Sequence, residues 1–287
     1  MQSAFIQTNH LRLHVMQAGP PDGPLVILLH GFPEFWYGWR HQIEPLAAAG
    51  FRVWAPDQRG YNLSDKPPGV ESYTLDRLGA DILGLMDAAG VQKASVVGHD
   101  WGGGVAWWLA LNHPERLHRV AILNMPHFRV LSHTLRTRPR QMLRSWYAAF
   151  FQLPNLPEWL LRRGNWWPAT RMLRRTSNPG TFSDDDLNQY RRAWSRPGPT
   201  GSPALRTMIH WYRAFVRKHP FRPRSPRVRV PLLLIWGRRD SALIPEMARP
   251  SIDLCDGGKL VFLEEATHWV QHEAADRVNS LLIGWMR

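Results

Sequence analysis

Five consecutive residues, Gly98-His99-Asp100-Trp101-Gly102, carry the most pointed chemical signal in the chain. They follow the apolar run Lys93-Ala-Ser-Val-Val97 and lead into the helix-like run Gly102–Leu111. Strand, tight turn and helix form the setting in which a nucleophile is presented at a turn apex, most often as the serine of G-x-S-x-G. Here the apex residue is Asp100. Gly98 and Gly102 supply the small residues that so tight a turn needs. A carboxylate in that position can attack an electrophilic carbon directly, since its reference pKa of about 4 leaves it ionised at neutral pH. The same residue could equally do no more than cap the helix that follows.

Two downstream residues bear on that choice. Asp240 closes Gly237-Arg-Arg-Asp240, after the apolar run Pro231–Trp236, and His268 lies in Ala266-Thr-His268-Trp269, after Lys259–Ala266. Nucleophile, acid and histidine follow in the order used by turn-borne nucleophiles of open sheets. Both partners fall just past strand C-terminal ends, where the sites of such sheets gather. One histidine among the 13 of the chain would say little without this order. His30-Gly31-Phe32-Pro33 follows the apolar run Leu25–Leu29. The backbone N–H groups of Phe32 and Trp101 are therefore expected to form an oxyanion hole, although Gly31 and Pro33 also read as plain turn punctuation.

The elements that must position these residues alternate. Strands are expected at Leu11–Gln17, Leu25–His30, Phe51–Ala55, Ala94–Val97, Val120–Asn124, Val230–Trp236 and Lys259–Leu263. Helices are expected at Tyr37–Ala49, Leu75–Ala89, Gly102–His113, Pro245–Leu254 and Glu273–Trp285. This rhythm indicates an α/β protein with a mostly parallel sheet and helices on both faces. It stops near Pro126 and resumes near residue 227. The stretch between, rich in Arg, Trp and Pro, reads as helices, one of them opened by Ser183 as N-cap with acidic residues in its first turn. Residues 1–126 and 227–287 are thus expected to form the core, and 127–226 an inserted helical cap over the strand ends.

Composition is globular, and 287 residues allow one large α/β domain with an insertion. The net charge is +13, and between His127 and Val230 the chain carries 21 Arg or Lys against 4 Asp or Glu. A basic block can meet phosphate or anionic lipid. No nucleic-acid motif accompanies it, so it reads as an arginine-rich solvated surface without a nucleic-acid partner. Cys255 is the only cysteine, which excludes an intrachain disulfide and suits a reducing cytoplasm. The N-terminal residues lack a signal peptide's apolar stretch, and the apolar runs are strand-length, so a protein without a transmembrane segment is expected. No Cys/His spacing suggests a metal, and no cofactor is expected. Oligomeric state is not legible.

Several blocks resemble one family. His30–Gln42, HGFPEFWYGWRHQ, is similar to the HGFPE-x-x-x-x-W-R-x-Q block of soluble epoxide hydrolases. So are Asp57–Pro67, DQRGYNLSDKP, Gly98–Gly103, GHDWGG, Asp240 ahead of Pro245, and His268-Trp269-Val270-Gln271. Asn62 departs from the family's usual glycine, yet Asn tolerates the left-handed conformation. The resemblance implies the α/β-hydrolase fold with an inserted cap. It also implies two cap tyrosines that bind and protonate an epoxide oxygen: Tyr147, in Ser145-Trp146-Tyr147-x-x-x-Phe151-Gln152, and Tyr212, in His210-Trp211-Tyr212-Arg213. Each could instead be a packed tyrosine with a satisfied hydroxyl.

On this reading the partners are a small hydrophobic epoxide and water. Asp100 attacks ring carbon, tyrosine hydroxyls with a reference pKa of about 10 donate to the departing oxygen, and His268, oriented by Asp240, activates water against the resulting ester. The nearest rival is a haloalkane dehalogenase, which makes the same kind of ester but binds a halide through side-chain N–H donors. Phe32 stands where that family often has Asn or Glu. A rival of another class is a non-catalytic anion-binding protein on the same fold.

Overall fold

The computed structural model describes residues 1–198, 201, 203–218 and 226–287. Among these residues eight strands form one sheet in the order β1-β2-β4-β3-β5-β6-β7-β8. They are β1 (Gln2–Thr8), β2 (Leu11–Ala18), β3 (Leu25–Leu29), β4 (Arg52–Pro56), β5 (Ala94–His99), β6 (Leu117–Leu123), β7 (Leu232–Gly237) and β8 (Gly258–Leu263). β2 runs antiparallel to β1 and β4, and every other pairing is parallel. The central strands read LVILL in β3 and LLLIWG in β7, buried at every residue, as strands covered on both faces must be. β1 has no counterpart among the expected strands. Its sequence QSAFIQT is mostly exposed and only half apolar, the pattern of an edge strand.

Among the described residues twelve α-helices accompany the sheet. α1 (Ile43–Ala48), α2 (Leu75–Ala88) and α3 (Trp101–Asn112) precede β6, and α10 (Ala248–Ile252), α11 (Val270–Glu273) and α12 (Ala275–Met286) follow β7. One apolar cluster gathers α2 and α3 on the first face of the sheet, and a second gathers α1 and α12 on the other. α3 is buried along almost its whole length, which explains a sequence that is apolar all round.

Three expected helices are each broken in two. Tyr37–Ala49 is a 3₁₀ turn, Trp36–Trp39, followed by α1, because Gln42 turns inward and its amide donates to the Gln271 carbonyl at 2.9 Å. Pro245–Leu254 is a 3₁₀ turn, Pro245–Met247, leading into α10. Glu273–Trp285 is interrupted at Ala274, with φ −127° and ψ 44°, between α11 and α12.

Among the described residues, six helices lie between β6 and β7: α4 (Phe128–Thr137), α5 (Pro139–Arg144), α6 (Trp146–Phe150), α7 (Leu156–Thr176), α8 (Asp184–Ser195) and α9 (Ala204–Arg217). α7 bends sharply where Arg163–Trp166 leave helical geometry. α8 opens with a reciprocal cap: Asp186 N–H donates to Ser183 Oγ at 3.1 Å, and Ser183 N–H to the Asp186 carboxylate at 2.9 Å. Such a cap contributes about 1 kcal/mol. These helices dock onto the loops at the C-terminal ends of β3 and β4. The Trp194 indole donates to the Pro33 carbonyl at 2.6 Å, and the Trp211 indole to the Arg59 carbonyl at 3.1 Å. The expected end of the insertion falls partly at 219–225, outside the described residues. Among the described residues, no helix is long and apolar enough to cross a membrane.

Candidate active site

Asp100 sits between β5 and α3 with φ +49° and ψ −121°, a conformation that L residues rarely adopt. The turn closes only because its neighbours are glycine. A Cβ on Gly98 would meet the Gly102 carbonyl oxygen at 2.3 Å, and one on Gly102 would meet the Leu29 carbonyl oxygen at 2.0 Å. The space beside Asp100 is equally tight, since a Cβ on Gly31 would lie 2.4 Å from the Asp100 Cβ. The Phe32 N–H donates to Asp100 Oδ1 at 2.9 Å. Trp101 is the first residue of α3, so its N–H has no partner within the helix.

His268 stands on the other side of the carboxylate, its Nε2 3.5 Å from Asp100 Oδ2 and its Nδ1 2.8 Å from Asp240 Oδ2. Asp240, buried, is held from several directions. Its Oδ1 accepts the N–H groups of Ala242 and Leu243 at 2.7 and 2.9 Å, and its Oδ2 accepts from Asn124 Nδ2 at 2.7 Å. Burial would raise the Asp240 carboxyl, but the His268 charge and hydrogen bond hold it below the ordinary range. For His268 burial again opposes the charged form. The charge of Asp240 and hydrogen bonds to both carboxylates outweigh it and push His268 up to about 10. The imidazole is therefore protonated at neutral pH and faces the ionised Asp240 carboxylate.

Tyr147 on α6 and Tyr212 on α9 meet above Asp100, with ring centroids 5.9 Å apart. Tyr212 also packs edge-on against Phe32 and Trp101, at 5.2 and 5.0 Å. Burial first, then the Asp100 charge, pushes both hydroxyls well above the ordinary tyrosine range, so they stay protonated. Asp100, His268, Tyr147, Tyr212 and Phe32 line one cavity of about 660 Å³, closed elsewhere mainly by apolar side chains such as Leu143, Phe151 and Met172. That size suits a small organic ligand. The structure thus brings together all the candidate site residues, from β3, β5, α6, α9, β7 and β8 or the loops that follow them.

Other residues support the site without being evident from local sequence. Asn124, just past β6, has φ +46° and uses both ends of its amide, accepting the Gly237 N–H at 3.1 Å while donating to Asp240. Arg144 donates to the Asp240 carbonyl at 2.7 Å. His99 Nε2 contacts the His268 carbonyl at 2.8 Å, and Glu34 gathers His272, Gln271 and Tyr190 at 2.7, 2.9 and 2.7 Å. Burial raises Glu34, but the neighbouring His272 and His99 hold it well below the ordinary carboxylate range. Asn62 has φ +38° and donates to Asp57 at 2.8 Å, so the left-handed turn read from its position is formed. Cys255 is buried, which pushes its thiol up to about 12 and suits a packing role. Among the described residues no group of His, Cys, Asp and Glu is placed to hold a metal ion.

Comparison with known proteins gives the class and then the family. The model of the alpha/beta hydrolase fold matches residues 24–275. The AB hydrolase superfamily protein YfhM of Bacillus subtilis is 45% identical, over 99% of this chain and 97% of that protein. Mouse epoxide hydrolase 4 is 36% identical, over 98% of this chain and 78% of that protein. Epoxide hydrolase A of Mycobacterium tuberculosis is 34% identical, over 98% and 96%. Among solved structures, an epoxide hydrolase from Bacillus megaterium in complex with an inhibitor superimposes with a TM-score of 0.86, at 30% identity and over 98% of this chain and 99% of that one. The chain belongs to the epoxide hydrolase family of the α/β-hydrolase fold.

Proposed function

We propose that the protein hydrolyses an apolar epoxide to a vicinal diol through a covalent ester on Asp100. The observation that carries this reading is the alignment of Asp240, His268 and Asp100 below two protonated tyrosines. Asp100 Oδ1 accepts the Phe32 N–H, and Oδ2, 3.5 Å from His268 Nε2, is the oxygen that strikes a ring carbon. The C–O bond of the ring breaks, and its oxygen takes a proton from Tyr147 or Tyr212. Esterification removes the negative charge of Asp100, one of the influences that raise His268. His268 then gives up its proton, restoring the balance at the tyrosines, and becomes a neutral base with Nδ1–H held by Asp240.

His268 Nε2 next takes a proton from water, and the hydroxide oxygen bonds to the ester's carbonyl carbon. The former Oδ1 becomes the tetrahedral oxyanion, already at the Phe32 N–H and close to that of Trp101. One such donor contributes about 3 kcal/mol. Collapse breaks the bond between that carbon and the alkyl oxygen, which takes the proton from His268 Nε2 and leaves as the diol, and the Asp100 carboxyl then returns its proton to His268, restoring the carboxylate and the imidazolium. No step calls for a cofactor or a metal. In this reading residues 127–226 act as a cap whose contribution is the two tyrosines and the apolar cavity walls, over a core formed by 1–126 and 227–287. A lone buried cysteine fits a cytoplasmic setting.

A structure of a B. megaterium epoxide hydrolase variant with its product, an (R)-naphthyloxy propanediol, supports an aromatic or otherwise apolar substrate here. The halide alternative is not favoured, because the Phe32 side chain packs on Phe151 and Tyr212 and offers no donor. Turnover of styrene oxide against bromobutane tests the substrate class: diol without halide release is expected, and halide release alone overturns the reading. The mechanism is tested by His268→Gln, which should accumulate the ester. Intact-protein mass after incubation with styrene oxide should rise by the substrate's mass, and an unchanged mass argues against covalent catalysis.

A further inference from the structure

The helical segment between β6 and β7 carries an unusual surface. Leu143, Trp146, Trp159 and Trp167 are 76%, 64%, 56% and 57% exposed, and the exposed Leu153, Leu156 and Leu160 fall between them in the chain. Among the described residues only Met1, Phe5 and Leu63 are large exposed hydrophobics outside this segment. Single apolar side chains on a surface need no explanation, but a concentration of this kind does.

The same stretch is strongly basic. Arg136, Arg138, Arg162, Arg163, Arg171 and Arg175 are exposed. Among the described residues none of these six has an ion-pair partner, whereas Arg140 and Arg174 pair with Glu246 and Asp184. The one acidic residue between 136 and 175, Glu158, is buried against Arg213. Two of the free arginines lie over exposed indoles, Arg163 on Trp159 at 4.7 Å and Arg171 on Trp167 at 5.0 Å. An indole with a cation on its face combines an apolar body with a polar rim, the chemistry of the zone between lipid headgroups and acyl chains. Leu143, Trp146 and Arg175, all in this segment, line the same cavity as Asp100.

We propose that this face docks on an anionic lipid bilayer, with Trp and Leu side chains among the upper acyl groups and arginines on the headgroup phosphates. A second copy of the chain would bring two unneutralised arginine surfaces together. A nucleic acid would satisfy the arginines but leave Leu143, Leu156 and Leu160 in water. A bilayer interface satisfies both sets. Docked in this way, the cavity opens toward the phase in which apolar epoxides concentrate. That consequence rests on the proposed reaction, whereas the docking does not.

The test is co-sedimentation of the full chain with vesicles of phosphatidylglycerol and phosphatidylcholine, against vesicles of phosphatidylcholine alone, at physiological salt. Each arginine near an anionic surface is worth a factor of about five in partitioning, so Arg162→Glu/Arg171→Glu should lower binding at least about twentyfold. Trp159→Ser/Trp167→Ser, which leaves the charge unchanged, should also weaken it. Neither pair touches the proposed catalytic groups, so bulk turnover of a water-soluble epoxide should be retained, and that retention shows the variants are folded. Failure to sediment with anionic vesicles overturns the proposal, as does binding that survives both pairs of substitutions. A dimer in sedimentation velocity that Trp159→Ser/Trp167→Ser dissociates would make the face a contact between copies. Binding to a DNA duplex without binding to vesicles would make it a nucleic-acid site. Either outcome overturns the lipid assignment.

Discussion

Gly31→Ala tests whether the site depends on the placement of one carboxylate. The added methyl group would lie 2.4 Å from the Asp100 Cβ, 2.7 Å from Asp100 Oδ1 and 2.9 Å from the His99 carbonyl oxygen. Comfortable carbon contacts begin near about 3.5 Å, so the groups must separate by roughly 1 Å. None of them is the free end of a flexible side chain. Asp100 is fixed at φ +49° by the turn, and its Oδ1 is bound to the Phe32 N–H. A misplacement of about 1 Å at a reacting group costs on the order of 10²-fold in rate. That corresponds to about 3 kcal/mol in activation free energy. Overpacking should also lower folding stability by about 1–3 kcal/mol. Rapid-quench single-turnover kinetics on styrene oxide reads the ester-forming step, and thermal melting reads stability. A single-turnover rate within about threefold of wild type, under roughly 0.7 kcal/mol, would refute the argument that Gly31 is required by the position of Asp100.

Further expectations follow from the partners of Asp100. Tyr147→Phe/Tyr212→Phe should abolish ester formation, because no protonated hydroxyl then faces the departing oxygen, whereas either single change should slow it; an ester formed by the double variant at the wild-type rate removes their assigned role. Asp240→Asn should slow ester hydrolysis by on the order of 10⁴, seen as ester accumulation in quenched samples. The His268 shift also sets a pH dependence of stability. Its pKa is raised in the folded state from 6.5 to about 10, so its contribution is fully present below about pH 6.5 and is lost as pH rises through about 10. Denaturant midpoints should fall across that window, and the fall should be much smaller in Asp240→Asn; equal slopes in the two proteins would contradict the ion-pair account.

The alternation of strands and helices was legible because β3, β5 and β7 are short, fully buried and mostly apolar runs. Asp100, Asp240 and His268 were legible because they close or follow such runs in a fixed order. What escaped local reading depends on contacts between distant segments. β1 is an edge strand whose pairing with β2, not its composition, makes it a strand. The break before α1 comes from Gln42 reaching Gln271, and that at Ala274 accompanies Gln271 and His272 turning in toward Glu34. Asn124 reads as the end of a strand, yet its left-handed backbone and two-ended amide hold Asp240 in place. Local spacing says nothing of Tyr147 and Tyr212. They sit on separate helices and converge only through tertiary packing, so resemblance alone singled them out. The arginine-rich stretch read as a solvated surface because exposure of its Trp and Leu neighbours cannot be seen in sequence.

The central claim is that the carboxylate of Asp100 becomes part of an ester. Repeated turnover of styrene oxide in heavy-oxygen water, followed by mass analysis of the peptide that contains Asp100, tests it most directly. Hydrolysis at the ester's carbonyl carbon places solvent oxygen in the aspartate, and the first diol released carries an unlabelled oxygen from the enzyme. The account predicts label in that peptide and an unlabelled diol in a single turnover. An unlabelled aspartate with label in the first diol would mean that water attacks the epoxide directly, and would contradict it.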